Sequence, residues 1–394
     1  SKLGISFGKV RASWAKVGGD TSPYMIFNAY GLMDFTILGN SLGTIASNVL
    51  PNQYLKPTST YSHEFGLDLR FLNDRLNFDF TYYSQYTKDQ IMNLPLTSST
   101  GYNAAIINTG EITNKGIELA ISAIPVRIKD FEWQLNVNLA HNNNKMKELH
   151  EDVKIYELSA ARWAGASVVA KEGERFGSIM GKKFARNENG QVIYENGLPT
   201  FENEVSVLGN GNHDLTLGVG STFRYKDFSF GILFDMKFGA DIYSMSSRMA
   251  HYNGTSKNTL EGRREWNESE EARRAANVSV DNWTPTGGYI GKGVYNSGTE
   301  EEPVWTQNTT PVDPQTYWRL VGDNTPEPFI YDASYVKLRE LNFTYNFPAK
   351  LLAKTPIRGL SLSAYGRNLF ILHSNLKNID PESNYNNGNG QGLE

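Results

Sequence analysis

The sequence of 394 residues contains no cysteine, which excludes disulfide bridges and every site built on a thiol. No run approaches the about 18 consecutive apolar residues that a membrane-spanning helix needs. The formal net charge is only −4 and no basic stripe is present, so the composition also argues against a nucleic-acid partner. Helical membrane proteins and nucleic-acid-binding proteins are therefore poor matches for this chain.

Residues that carry chemistry are equally sparse. The six histidines are scattered, with no pair at a metal-ligand spacing. There is no nucleophile elbow, and the glycine-rich stretch 209–212 is not followed by a helix that could complete a phosphate site. The sequence predicts no catalytic residue, no metal, no cofactor and no enzymatic activity.

What the chain does have is alternation of apolar and polar residues, in stretches about ten residues long that come in pairs. The clearest pair covers 64–71 and 76–88, with Asn73 and Asp74 as a tight-turn signal between them. Further stretches cover 117–123, 131–139, 215–225 and 228–238, and weaker ones cover 3–17, 335–347, 359–372, 24–36 and 241–249. This pattern predicts roughly ten strands, each with one apolar and one polar face.

The polar faces carry Asp, Arg, Asn and Glu, which cannot pack into a dry core, so they must face water or a water-filled lumen. Aromatic residues are abundant, with 21 Tyr, 20 Phe and 7 Trp, as in barrels with aromatic girdles. The pattern is typical of a transmembrane β-barrel. A soluble carbohydrate-binding β-protein would leave the apolar rows exposed as a large belt.

The connections alternate between short and long. Short turns lie at 73–75, 127–130 and 226–227, whereas long connections cover 89–114, 142–214 and 250–331. Since bacterial barrels have short periplasmic turns and long external loops, we expect the long segments to be extracellular. Within the longest of them, 260–276 is predicted to be a solvated helix because it is rich in charge and in good helix formers.

Aromatic residues in the long loops are candidates for ligand binding, since flat rings stack on sugars and on peptide side chains. The alternative is that they pack the loops together or belong to the outer girdle. The candidates are Trp163, Trp283, Trp305, Tyr317 and Trp318.

Several stretches, in this order along the chain, resemble the SusC/RagA family of TonB-dependent outer-membrane transporters. They are VRASWAKVGGD (10–20), LKPTSTYSHEFGL (55–67), TGEITNKGIE (109–118), Trp283-Thr284-Pro285, VKLRELNFTYNFP (336–348), GLSLSAYGRNL (359–369) and NIDPE (378–382). The third keeps the family's phrase with Asn108, Gly110, Asn114, Gly116 and Glu118. The resemblance spans nearly all of the chain.

The matched positions have structural interpretations. Gly116, at the start of a strand, suits a bulge or a close backbone approach. Arg367 and Asn368 are expected to make a lumen-facing or rim contact, and Asp380-Pro381 is expected to initiate a turn.

The resemblance implies an all-β fold, part of an antiparallel barrel of about 22 strands with a plug in its lumen. Roughly ten strands cannot close such a wall. We therefore expect residues 1–394 to be the C-terminal portion of a longer barrel protein, with its plug domain and TonB-contacting segment elsewhere in that protein.

The implied function is active import of a glycan oligomer or a peptide across a Bacteroidota-type outer membrane. The implied partners are a SusD-like lipoprotein lid over loops 142–214 and 250–331, the TonB complex and the surrounding lipid. A dimer of transporter–lipoprotein pairs is a further possibility. The alternative function is a structural or secretion-associated outer-membrane scaffold built on the same barrel.

Overall fold

The computed structural model describes residues 4–21, 23, 25–45, 47–150, 153–162, 165–383 and 390–394. Its main feature is one antiparallel sheet of nine long strands, each paired with the next one along the chain. The strands are β1 (Ile5–Gly19), β2 (Thr58–Phe71), β3 (Leu76–Lys88), β4 (Glu111–Ile128), β5 (Phe131–Glu148), β6 (Leu215–Tyr225), β7 (Phe228–Phe238), β8 (Tyr335–Asn346) and β9 (Ser361–Ser374). The predicted all-β fold and its hairpin pairs are confirmed.

The pairing register aligns the alternating residues of neighbouring strands into continuous rows. Trp133 lies opposite Phe223, which lies opposite Phe230, which in turn lies opposite Phe343. The rings of Trp133 and Phe223 stack with their centroids 5.8 Å apart. Phe343 is still 46% exposed, so no described element covers this face. An uncovered apolar row across many strands is what a lipid-facing wall requires.

Short turns join the strands at one end of the sheet, called here the turn end. Asn73 and Asp74 both adopt positive φ, at 55° and 64°, and Lys226 does so at 51°. Such left-handed residues match the twist of the two strands that a tight hairpin joins. A longer connection at the same end holds the short helix α4 (Ala349–Leu352) between β8 and β9. The long connections leave from the opposite end, called here the loop end.

The loop predicted to begin at residue 142 begins later, because β5 continues to Glu148. Its last residues pair with the start of β4, as in Asn142 opposite Gly116. Apart from Met146, this part of β5 is polar on both faces, so it gives no alternation signal. It was missed for that reason.

The loop after β5 folds into a sheet of its own rather than remaining irregular. Its four strands are Ile155–Ala160, Ser167–Lys171, Ser178–Phe184 and Phe201–Asn210, paired in that order. The loop after β7 holds the helices α1 (Met245–Tyr252), α2 (Arg263–Ala275) and α3 (Pro314–Asn324).

Helix α2 confirms the helix predicted at 260–276. The strand expected at 241–249 is wrong beyond Tyr243, because the strand there covers only Asp241–Tyr243. Ser244 then accepts a hydrogen bond from the backbone N–H of Ser247 and so starts α1. Of the stretch 24–36, residue 24 lies outside the described residues, and 30–37 forms a hairpin with 40–45 outside the main sheet.

The two long loops pack against each other around one hydrophobic core, together with the segment 390–394. The fully buried members include Val168 and Ile179 from the first loop and Tyr243, Val321 and Phe329 from the second. These parts, 155–210, 241–332 and 390–394, are called the loop unit below. What the sequence presents as two separate loops is a single folded unit.

The remaining short elements lie in the loops. The strands are Tyr30–Ile37, Asn40–Ile45, Val49–Leu50, Ile91–Pro95, Ala104–Asn108, Tyr194–Glu195, Leu198–Pro199, Asp241–Tyr243, Val294–Asn296, Trp305–Gln307 and Ile330–Asp332, and the 3-10 turns are Ser98–Thr100, Lys257–Thr259, Val280–Asn282 and Glu327–Phe329. None of the helices in the described ranges has the length and hydrophobicity that a membrane crossing would require.

Candidate functional site

The face of the main sheet opposite the apolar rows carries a hollow of about 330 Å³. Its polar lining comes from successive strands of the sheet and consists of Asp79, Thr81, Glu118, Asn138, Thr216 and Asp235. These side chains share a face because the registers align their strands, as in Asn138 opposite Gly218 and Gly218 opposite Asp235. Carboxylates, hydroxyls and an amide are thus presented together on the polar face.

Arg11 of β1 reaches this hollow by crossing β2. Its guanidinium makes a bidentate pair with Asp79, at 2.6 Å and 3.0 Å. The crossing passes over Gly66, where a Cβ would lie only 2.7 Å from Arg11 Nε. The absence of a side chain at Gly66 leaves room for the arginine in this position, and a larger residue would require the guanidinium to shift.

A second group of charges lies where β8 reaches the loop end. Lys337 is only 5% exposed, and its ammonium donates to Asp380 at 2.8 Å and to Glu382 at 2.6 Å. Arg339 donates to Glu382 at 2.6 Å and also to Asp235 of the polar hollow. We call Asp235, Lys337, Arg339, Asp380 and Glu382 the charged cluster.

The electrostatics of the charged cluster favour the ionised carboxylates. Hydrogen bonds from Arg339 first, and then from Lys337 and Tyr335, lower the pKa of Glu382 to about 2 against the opposing effect of burial. The hydrogen bond from Lys337 likewise lowers the pKa of Asp380. Paired in this way, the segment 378–382 is held against the polar face of the sheet.

A titratable histidine lies next to the charged cluster. His213 lies at the loop end with its ring edge against Tyr335, at a centroid distance of 6.3 Å. Burial, reinforced by nearby Lys237, lowers the pKa of His213 to about 4. The imidazole is therefore neutral at ordinary pH.

The close approach predicted at Gly116 is present. A Cβ at this position would lie 2.4 Å from the carbonyl oxygen of His141 and 2.4 Å from the hydroxyl of Tyr83. Tyr83 uses the space to donate a hydrogen bond to Asn142 at 3.0 Å across the neighbouring strand.

The other matched positions of the stretch that contains Gly116 have different structural roles. Gly110 has a φ of +89°, which L side chains rarely adopt. Glu118 lines the polar hollow, and the side-chain oxygen of Asn114 is buried without a partner among the described residues. Asn108 joins two loops, since it bonds the backbone of Lys56 in both directions and donates to the carbonyl of Asp89.

The matched residues of β9 and the following segment make polar contacts. Arg367 pairs with Glu340 at 3.1 Å. Asn368 adopts a φ of 52° at a register irregularity and accepts a hydrogen bond from Arg339 at 2.6 Å. Asp380 accepts from the backbone N–H of Glu382 at 3.0 Å, which forms the turn expected at Asp380-Pro381.

The structure does not bring the candidate loop aromatics together into one site. Tyr317 is buried, and its hydroxyl lies 3.2 Å from that of Tyr194. Trp318 borders a cleft next to it, at a ring distance of 5.2 Å from Tyr317. Trp283 donates to Ser269 of α2, and Trp305 lies in a two-stranded sheet. Trp163 lies outside the described residues, so the ligand role of this set stays a prediction.

Lys337, Arg339 and Glu382 lie inside the matched stretches, but the sequence predicts no role for them. A signal was available, because one stretch carries two cations spaced by two residues and the other carries two anions with the same spacing. Asp235 could not be found in this way, since it enters the charged cluster only through the register of β7 against β8.

The chain is similar to known proteins over most of its length. The family described as TonB dependent receptor-like, beta-barrel matches residues 4–161. TonB-dependent receptor P3 of Formosa agariphila is 26% identical over 412 residues, covering 98% of this chain and 37% of that protein. TonB-dependent receptor SusC of Bacteroides thetaiotaomicron is 26% identical over 391 residues, covering 95% of this chain and 35% of that protein.

Among solved structures, the RagAB peptide transporter superposes on 99% of this chain with a TM-score of 0.69 and 18% identity, and the match covers 39% of that chain. A meander of long strands with an apolar face, a charged polar face and large folded loops defines the wall of a TonB-dependent outer-membrane β-barrel. Within this class, the chain is similar to SusC in sequence and to RagAB in fold. It spans well under half the length of the relatives that it matches.

Proposed function

We propose that this chain forms part of the path by which a TonB-dependent transporter imports a glycan oligomer or a peptide across the outer membrane. The observation that carries the proposal is the polar face of the sheet, where carboxylates, amides and hydroxyls continue toward the loop unit. Such groups hold a polar ligand by hydrogen bonds that can be exchanged as the ligand moves. No covalent chemistry on the substrate is required.

The proposed partner on the outside is a SusD-like lipoprotein, which contacts loops 142–214 and 250–331 and encloses the ligand with them. The packing of the two loops around one core supports this, because a folded unit offers a pre-formed docking surface. Glu327 links the two loops, because its carboxylate accepts hydrogen bonds from the Phe184 N–H at 2.8 Å and from Arg186 at 2.7 Å. RagAB, the structural relative, is itself described as a peptide importer.

The remaining parts of the proposal concern the whole protein. The TonB complex acts through an N-terminal region outside residues 1–394, and the transporter–lipoprotein pairs assemble as a dimer. In this arrangement the loop end is extracellular and the turn end is periplasmic.

The first test is to purify the protein from its native outer membrane in mild detergent and to identify co-purifying components by mass spectrometry. A stoichiometric SusD-like lipoprotein together with a bound oligosaccharide or peptide is the expected result. Unrelated surface or secretion components, with neither lid nor ligand, would favour the scaffold function instead.

The second test locates the partner. Residues 1–394 contain no cysteine, so each single substitution introduces one attachment point for a photo-crosslinker in this part of the protein. Glu188→Cys and Glu301→Cys lie on exposed parts of the two loops, and Asp227→Cys lies in a tight turn at the opposite end. We expect the lipoprotein to be crosslinked from one or both loop positions and not from position 227. Crosslinking only from position 227 would refute the proposed orientation.

A further inference from the structure

The loop unit contains a cleft of about 280 Å³ that is separate from the polar hollow of the sheet. It lies where the end of α1, the start of α2 and the start of α3 converge. Its lining includes Trp266, Trp318, His251 and three side-chain amides, those of Asn253, Asn267 and Gln315. Only Trp318 of these was singled out in the sequence.

Two indoles border this cleft, and one of them is held firmly. The ring of Trp318 packs against His251 at 4.8 Å and against Tyr289 at 5.8 Å. Its indole N–H is shielded from solvent and has no hydrogen-bond partner among the described residues. The ring of Trp318 itself is a fixed aromatic surface, which suits a ligand that has C–H faces.

The charged groups that line the cleft are already engaged within the protein. Arg263 donates to the carbonyls of Gly254 and Thr259, both at 2.6 Å. Asp313 accepts from the backbone N–H groups at the start of α3 and so serves as its N-cap. These charges therefore have partners before any ligand arrives.

The imidazole of His251 is likewise satisfied on both sides. Its Nδ1 lies 2.8 Å from the carbonyl of Ser247, and its Nε2 lies 3.2 Å from the amide nitrogen of Asn258. The ring consequently serves as a support for Trp318. It is not a free acid, base or metal ligand in this arrangement.

The amides, by contrast, are available. Asn253, Asn267 and Gln315 are exposed, and the structure gives their side chains no hydrogen bond to another described residue. Each amide offers one acceptor oxygen and two donor hydrogens, the combination that pairs with vicinal hydroxyl groups. Neutral amides beside aromatic rings favour a neutral, polyhydroxylated ligand over a charged one.

We propose that this cleft binds a sugar ring of a neutral oligosaccharide on the loop unit. A peptide backbone is a poorer fit, because the cleft walls are helix ends and a 3-10 turn and offer no open strand edge for main-chain pairing. The proposal rests on the proposed import function and narrows its substrate to a neutral glycan, captured outside the barrel.

The test uses the protein purified from the outer membrane in detergent and isothermal titration calorimetry. The probes are maltohexaose, cellohexaose and mannohexaose as neutral oligosaccharides, with oligoalginate and a neutral hexapeptide for comparison. We expect saturable binding of at least one neutral probe, weakened about tenfold or more in the double variant Asn267→Ala/Gln315→Ala. Both positions are exposed, so the variant should fold, which circular dichroism checks.

Asn189→Ala is the matched control, since it removes an exposed amide of the same loop unit outside the cleft, and it should leave binding unchanged. Binding of none of the neutral probes, equal loss in the control, or binding that survives the double variant would overturn the proposal. Calorimetry needs no TonB or proton gradient. Intact cleft binding without uptake would therefore count against the import function, and uptake without cleft binding would count against this site alone.

Discussion

The ammonium of Lys337 lies 2.6 Å from the carboxylate of Glu382, and this contact joins segments that are 45 residues apart in the sequence. Lys337 is buried near the start of β8, whereas Glu382 belongs to the segment that follows β9. The pair, extended by Arg339 and Asp380, attaches that segment to the polar face of the barrel wall.

Removing the charge of Glu382 should loosen this attachment. In Glu382→Gln, two cations lose their shared carboxylate, and Lys337 cannot regain water without local opening. We expect a loss of about 2–4 kcal/mol in the free energy of unfolding, measured by denaturant titration in detergent.

A double-mutant cycle with Lys337→Gln separates the contact itself from general damage. We expect the effects of the two single variants to be clearly less than additive in the double variant. Strict additivity would show that the pair does not interact in solution.

Acidification should destabilise the protein in two steps. The unfolded chain protonates histidine as the pH falls through 6.5, whereas folded His213, whose pKa burial lowers to about 4, stays neutral. Stability is therefore lost between pH 6.5 and pH 4. Glu382, whose pKa falls from 4.5 to about 2, adds a second loss between those two values. Thermal midpoints measured from pH 7 to pH 2.5 would show both steps.

Each of the two steps in the pH dependence can be tested with one substitution. His213→Asn should flatten the dependence between pH 6.5 and pH 4 and leave the lower step, and Glu382→Gln should do the reverse. A His213→Asn profile identical to that of the natural protein would contradict the assignment of the upper step.

Adding a methyl group at Gly116 should be costly. The Cβ of Gly116→Ala would meet the carbonyl of His141 and the Tyr83 hydroxyl, both at 2.4 Å. Either the strands separate or Tyr83 leaves its bond to Asn142, so we expect a loss of about 3 kcal/mol in the free energy of unfolding.

Gly218→Ala is the comparison for Gly116→Ala, because Gly218 also lies inside a strand of the same sheet and a Cβ there meets nothing within 4 Å. We expect this second variant to be neutral or slightly stabilising in the same unfolding assay. Equal effects of the two substitutions would rule out the close approach as the cause.

Breaking the contact between the two loops should loosen them locally and leave the barrel intact. Glu327→Ala removes the acceptor of the part-buried N–H of Phe184 and the carboxylate partner of Arg186. We expect a local loss of about 1–3 kcal/mol, seen as faster amide hydrogen exchange in 178–186 and 325–330. Exchange in β2 and β3 should not change.

Glu301→Ala provides the control for Glu327→Ala, since Glu301 is an exposed carboxylate of the same loop. It should leave exchange in both segments as it is in the natural protein. If Glu327→Ala also left exchange unaltered, the two loops would not depend on this contact.

The sequence by itself determined the barrel wall. Period-two alternation in pairs, with turn residues such as Asn73-Asp74, was enough to predict the long hairpins, because each strand faces lipid on one side and water on the other. Charge and helix propensity were likewise enough for α2. These are local signals. They suffice because each face of a strand meets the same environment, lipid or water, along its whole length.

Only the tertiary structure decided what the polar residues do. The extension of β5 to Glu148 depends on pairing with β4, because the residues of this extension show no regular alternation of apolar and polar side chains. Tyr317, proposed as a ligand-binding ring, is enclosed by a core that forms when two distant loops pack together. Asp235 meets Arg339 through strand register, and the amides of the loop cleft converge from three helix ends. Such contacts depend on distances between remote segments, which no local pattern of residues encodes.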